Sequence, residues 1–167
     1  MEINGVDAGA LMAGREQVRK DPSQAQSVFR ATTVWDGGAR STSRVRNFTL
    51  EADESAALFG TDRVPSPVEQ VLAALGACLT VGISYMAALE GIRIDAIEIE
   101  TEGNLDVRGF FGLKGAPPGY QQVRVTVHLR CDAGRRGMQA LLDRVVATSP
   151  VTDIIARGVP VSVQLGG

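Results

Sequence analysis

Ser66-Pro67-Val68-Glu69-Gln70-Val71-Leu72-Ala73-Ala74-Leu75-Gly76-Ala77-Cys78-Leu79-Thr80-Val81-Gly82 opens on a helix start and then stays apolar on every side. Ser66 is in place to cap, Pro67 takes the first helical position, and Glu69 completes a capping box. Gly91 offers a left-handed stop. The spacing therefore predicts a helix over residues 67–90, about 36 Å long at ~1.5 Å per residue. A helix apolar all round is a buried helix. One this long needs sheet or partner-chain surface along its whole length. In its middle sits Cys78, the residue here that is either inert packing or a nucleophile.

On the C-terminal side, Ile97, Ile99 and Thr101 alternate with Glu98, Glu100 and Glu102, which predicts a half-buried strand with an acidic outer face. In residues 121–130, Val123, Val125, Val127 and Leu129 alternate with Arg124, Thr126, His128 and Arg130, a strand with a basic outer face. If the two are neighbours, Glu pairs with Arg across the sheet. The Gly/Pro-rich loop 106–120 between them carries Phe110-Phe111, expected to pack on the core or a partner chain. Residues 134–147 form an amphipathic helix. A second Ser-Pro start, Ser149-Pro150, opens a short helix that stops at Gly158, and Val159, Val161, Val163 and Leu165 share one face of a final strand.

On the N-terminal side, residues 28–35 and 44–50 read as two strands around the turn signal Asp36-Gly37-Gly38. Residues 51–65 are an irregular connection. Residues 6–20 read as a Gly-weakened helix ended by Asp21-Pro22. The order is roughly α-β-β-α-β-β-α-α-β. Hairpins with segregated helices indicate α+β rather than a doubly wound sheet. Residues 1–27 read as an N-terminal helical extension and residues 28–167 as one domain.

Composition excludes several classes. The chain has 167 residues, 44% hydrophobic and 22% charged, with a net charge of −2, so no nucleic-acid or anionic-membrane partner is expected. Fifteen Arg stand against two Lys, which favours guanidinium roles such as ion pairs or reflects a GC-rich genome. Two cysteines, Cys78 and Cys131, make no disulfide scaffold. The N-terminus lacks the pattern of a signal peptide. The longest apolar run, residues 71–89, is Ala-rich and broken by Gly76, Thr80, Gly82, Ser84 and Tyr85, which marks a core helix rather than a membrane span. A cytoplasmic protein with reduced thiols is the expectation.

Most catalytic chemistries find no residues. One histidine and two separated cysteines form no zinc site, and no metal is expected. There is no Gly-x-Ser-x-Gly elbow, no Walker A and no dinucleotide loop. Asp106, Asp132, Asp143 and Asp153 are scattered. Cys78 remains. It lies twelve residues past Ser66, and helix-terminus stabilisation of an anion fades within the first turn. A thiolate there needs a cation from elsewhere in the fold. Arg40, Arg44 and Arg46 are the candidates, since arginine stays charged when partly buried.

The run from Ser66 to Leu79 resembles the central helix of the OsmC/Ohr family (osmotically inducible protein C and organic hydroperoxide resistance protein). Thr33-Val-Trp-Asp-Gly-Gly38, Glu90-Gly-Ile92, Gly119-Tyr-Gln-Gln-Val-Arg-Val-Thr-Val127 and Ser149-Pro-Val151 with Gly158-Val-Pro-Val161 follow the family in order, so the resemblance spans about residues 28–165. It implies an intertwined homodimer with antiparallel sheets wrapped around long central helices and active sites at the subunit interface. It also implies peroxidase chemistry in oxidative-stress defence, with Cys78 as the peroxidatic residue, organic hydroperoxides as substrates, no cofactor, and an external thiol or dithiol as reductant. The family's activating arginine follows the Gly-Gly turn, which selects Arg40, with Arg44 and Arg46 as alternatives.

Two positions depart from that pattern. The family's resolving cysteine precedes the Pro-Val of the late helix, and this chain has Ser149 there, which forms no disulfide. Cys131 closes the basic strand and reads as a coincidental thiol. Glu69 matches the family's acidic residue near the helix start, but it lies on the opposite helix face from Cys78 and about 13.5 Å away. It acts across a dimer or serves as the cap residue. Two other functions share these residues: a non-catalytic protein binding an apolar small molecule, and a one-cysteine redox sensor.

Overall fold

The computed structural model describes residues 2–166. Helices and antiparallel sheets build an α+β protein, and the chain forms two compact units, residues 13–73 and residues 2–12 with 74–166.

In the first unit a three-stranded antiparallel meander runs β3 (Thr32–Gly37), β4 (Arg40–Val45), β5 (Phe48–Ala52), after the two-residue strands β1 (Glu2–Ile3) and β2 (Val6–Asp7) and helix α1 (Ala8–Lys20) earlier in the chain. Gly37 and Gly38, with φ of 96° and 60°, make the first turn where the sequence signalled one. The stretch 44–50, read as one strand, is two. Val45 pairs with Phe48 across a tight turn at Arg46-Asn47, with Arg46 in the left-handed region at φ 55°. A strand pattern of alternating residues runs through such a turn unbroken, so alternation alone does not mark it. The Arg46 guanidinium lies over the Phe48 ring, 5.1 Å from its centre. Register puts Trp35, Val45, Phe48 and Leu50 on one sheet face, where Trp35 and Phe48 stay largely exposed.

The connection after β5 is irregular but held by one buried carboxylate. Asp53 accepts hydrogen bonds from the main-chain N–H groups of Glu54, Thr61 and Arg63 and from the Thr61 hydroxyl at 2.5 Å. Helix α2 then runs Pro67–Glu90, as the sequence predicts. At its C-terminus Ile92 N–H donates to Ala87 C=O and Gly91 N–H to Ala88 C=O, with Gly91 at φ 73°. This closes the last turn as a Schellman motif, which needs the left-handed residue.

In the second unit, β6 (Ile94–Leu105) and β7 (Tyr120–Cys131) pair antiparallel. The expected pairing of Glu with Arg is present where Arg124 meets Glu102, and the His128 ring lies 3.4 Å from the Glu100 carboxylate. Tyr120 packs its ring where a Cβ on Gly103 would stand, so that strand position has room only for glycine. Helices α4 (Gly134–Thr148) and α5 (Pro150–Arg157) follow. Leu75, Leu79, Ile83 and Ala87, at four-residue spacing on α2, form the core with Leu141 and Val145 of α4, flanked by Ile97, Ile99, Val127 and Leu129 from the sheet. Gly82 lets α2 and α4 approach, since a Cβ there would sit 2.7 Å from Val145 Cγ1. The N-terminal hairpin is tied on by Asn4, whose side chain bridges Ile92 C=O and Ile94 N–H, each at 2.9 Å.

One expectation is corrected, and two that left room for a partner chain are met only in part by the single chain. Helix α2 is buried along one stripe only, and Val81 and Tyr85 on its other side are 51% and 46% exposed. One chain supplies enough surface for one side of an all-apolar helix. Phe110 and Phe111 do not pack on the core: they stand at the end of the short helix α3 (Val107–Phe110), stacked edge-to-face on each other at 5.3 Å and both exposed. The segment 159–165 forms no strand, and Val163 is 90% exposed. A strand needs a neighbour to receive its N–H and C=O groups, and this segment has no strand partner among the described residues.

Candidate functional site

Cys78 sits on α2 between Leu75 and Leu79, two residues of the buried stripe, and is itself half-buried. Its Sγ lies 3.4 Å from Ser149 Oγ. This contact is built by the junction of α4 and α5. Ser149 ends α4 in an extended conformation, φ −75° and ψ 114°, as a residue before proline prefers. Pro150 starts α5, and Ser149 becomes its N-cap, accepting from Thr152 N–H at 3.3 Å. The Thr152 hydroxyl also donates to Ser149 Oγ, at 2.8 Å. Ser149 is 5% exposed, so its hydroxyl has little choice but to face protein atoms.

Beside this cluster opens a cavity of about 430 Å³ whose walls include Leu75, Leu79, Val123, Leu142, Thr152 and Ile155. Its lining is apolar except at Thr152 and the Tyr120–Gln122 edge. A pocket of this size and polarity suits a small molecule with an apolar body.

The structure thus brings Cys78 and Ser149 together. Glu69 is engaged in its own cap. One carboxylate oxygen accepts from Ser66 N–H at 2.7 Å and from the Ser66 hydroxyl at 2.8 Å. These bonds, the main-chain one first, hold its carboxyl below the ordinary range. Arg40 is the first residue of β4, opposite Gly37 and half-buried. Arg44 lies further along β4, opposite Thr32 and Thr49, and Arg46 stacks on Phe48. Cys131 is a free thiol at the end of β7, opposite Ile94. Ile94 follows the C-terminus of α2, and Cys78 lies twelve residues before Glu90, roughly 18 Å along the axis. A disulfide needs Cα atoms within about 7 Å, so Cys131 does not pair with Cys78 within the chain. Among the described residues no group of three His, Cys, Asp or Glu is placed to hold a metal.

Thr152 and Asp53 are not singled out by the sequence pattern. Thr152 had a signal: the run Ser-Pro-Val recurs at 66–68 and 149–151, and the residue after it is Glu in one copy and Thr in the other. Asp53 had none, because its partners are main-chain groups up to ten residues away and one threonine hydroxyl eight residues away.

The family model for OsmC-like protein matches residues 60–164, a span that includes both Cys78 and Ser149. No curated protein matches the chain. Among solved structures, an OsmC-like protein from Mycoplasma pneumoniae shares the fold with a TM-score of 0.68 at 16% identity, over 78% of this chain and 89% of that one. An organic hydroperoxide resistance protein OsmC from Legionella pneumophila gives 0.58 at 17% identity, over 77% and 89%. The organic hydroperoxide resistance protein OhrB of Bacillus subtilis gives 0.52 at 21% identity, over 79% and 92%. At these identities the likeness is one of fold, and the family model carries the assignment: the chain belongs to the OsmC-like family.

Proposed function

We propose that the protein is a one-cysteine peroxidase that reduces organic hydroperoxides in oxidative-stress defence. The observation that carries this reading is Cys78, half-buried at the centre of α2, with its sulfur on a buried hydroxyl and an apolar cavity alongside. Two of the structural neighbours named above are organic hydroperoxide resistance proteins. In the reaction, the Cys78 thiolate attacks the outer oxygen of the hydroperoxide. The S–O bond forms as the O–O bond breaks, sulfur gives up two electrons, and the alkoxide takes a proton and leaves as the alcohol. An external thiol then condenses with the sulfenic acid, releasing water and leaving a mixed disulfide. A second thiol displaces the first and restores Cys78. No internal disulfide enters this cycle, because the contact on Cys78 is Ser149.

The reading includes a homodimer. The exposed apolar side of α2 and the unpaired segment 159–165 both call for a second copy. It also assigns Arg40 as the cation that favours the thiolate, with Glu69 fixing the start of α2 rather than touching sulfur. Reduced protein mixed with cumene hydroperoxide and a dithiol tests the whole. The wild type consumes peroxide, and Cys78→Ser abolishes consumption. Arg40→Ala slows it at least tenfold, and Arg44→Ala leaves it near the wild-type rate. Equal, background-level consumption by wild type and Cys78→Ser removes the catalytic reading and leaves the cavity as that of a binding protein.

A further inference from the structure

We infer that Ser149 is a positioning residue that donates its hydroxyl proton to Cys78 Sγ, and that Thr152 sets the direction of that donation. A serine hydroxyl has one proton to give and two lone pairs to receive. At Ser149 both lone pairs are taken, by Thr152 N–H at 3.3 Å and by the Thr152 hydroxyl at 2.8 Å. Among the described residues, the heavy atom left for it within hydrogen-bond distance is Cys78 Sγ, at 3.4 Å. The proton therefore points at sulfur, where it stabilises negative charge.

The other Ser-Pro-Val cap in the chain is the internal control. At Ser66 the residue three positions on is Glu69, which only accepts. There the serine gives its proton to the carboxylate at 2.8 Å and receives Glu69 N–H at 3.4 Å. Glutamate at that position draws the serine proton into the cap, whereas threonine fills the serine's lone pair and sends the proton outward. Both serines are buried, at 6% and 5% exposure, so neither has solvent as an alternative. The same pair of hydroxyls borders the cavity through Thr152. The position next to the Cys78 sulfur thus holds a fixed donor to it.

The inference rests on the proposed reading for its purpose, but its test does not need turnover. Alkylation of the reduced full-length protein by iodoacetamide, followed at Cys78 by peptide mass spectrometry, reports the reactive thiolate together with its ultraviolet absorbance. Ser149→Gly keeps an acceptable N-cap and removes the donor. It is expected to slow alkylation at neutral pH about tenfold, the weight of one hydrogen bond to a charged group, and to reduce the thiolate absorbance. Ser149→Thr restores both. Thr152→Val, which leaves Ser149 in place but frees its lone pair, gives a smaller loss of the same sign. Unchanged alkylation and absorbance in Ser149→Gly, or in Thr152→Val should the glycine variant not fold, overturns the inference. A wild type that consumes no hydroperoxide while its alkylation depends on Ser149 removes the peroxidase reading and leaves this one standing.

Discussion

Cys78 Sγ and Ser149 Oγ lie 3.4 Å apart, although the two residues are 71 positions apart in the chain. The contact joins the middle of α2 to the junction of α4 and α5, and both partners are held by helices rather than by loops. A sulfur placed at position 149 would therefore stand beside the Cys78 sulfur.

Ser149→Cys is expected to convert the site into one that closes on itself. After one equivalent of hydroperoxide the variant should form an intrachain disulfide to Cys78, seen as a mobility change on non-reducing gels and reversed by dithiothreitol. Cys131 should remain alkylatable throughout. The wild type under the same treatment should retain an uncrosslinked, oxidised Cys78. A variant that oxidises at Cys78 without crosslinking would show that the two positions are not in contact in solution.

The two glycines of the central helix are expected to respond in opposite directions. A Cβ at Gly82 would stand 2.7 Å from Val145 Cγ1, inside the closest packing of α2 on α4. Gly82→Ala should cost about 1–3 kcal/mol as overpacking. A Cβ at Gly76 would lie 3.8 Å from Thr101 Cγ2 and 3.9 Å from Ile99 Cγ2, which is ordinary contact. Gly76→Ala should gain up to about 0.5–1 kcal/mol, because alanine loses less conformational entropy in a helix. Urea denaturation of the two variants beside wild type decides both signs.

Much of this architecture is legible in the residues because it is local. Ser66, Pro67, Glu69 and Gly91 fix α2 to the residue, since caps and stops act within one turn. Alternation in residues 97–102 and 121–130 gives the β6–β7 pair, including its cross-strand charges. What escapes is what depends on distant partners. The Arg46-Asn47 turn carries no glycine to announce it. The Asp53 cage is made of three main-chain donors, which every residue possesses, and of one hydroxyl, Thr61, eight residues away. The strand expected at 159–165 has the right alternation but no edge to join within this chain. The contact between Cys78 and Ser149 is invisible to any periodicity. Resemblance to a family names Ser149 as a position of interest, but the donor geometry around it depends on Thr152.

Acid stability should trace to Asp53. The Thr61 hydroxyl and the three main-chain N–H groups hold its carboxyl far below the ordinary value of 3.8. With the folded value depressed, the unfolded chain binds more protons between the two values, and stability rises with pH across that window. The contribution is complete above about pH 4 to 5 and is lost progressively as pH falls toward the folded value. Asp53→Asn should therefore flatten the dependence of the unfolding midpoint on pH between about pH 2 and 4, and lower stability at pH 7. An acid limb with the same slope in the variant would assign the acid sensitivity to other carboxylates, such as Glu69 in its cap.

The open side of α2 provides the test of assembly. Ala77, Val81 and Tyr85 follow each other at four-residue spacing on the face turned away from Leu79 and Ile83. An apolar valine that is 51% exposed in the single chain gains by burial against another copy. In a two-fold pairing each copy contributes the same face, so one substitution acts twice. Val81→Arg should place two like charges at such a seam and yield a monomer in sedimentation velocity at concentrations where wild type sediments as a dimer. Val81→Ala should only weaken the association. Since the proposed site draws on a dimer, the Val81→Arg monomer should also lose hydroperoxide consumption while keeping a folded far-UV spectrum. A wild-type protein that sediments as a monomer, or a Val81→Arg variant that remains dimeric, would place the self-association surface elsewhere and leave this face of α2 to a different role.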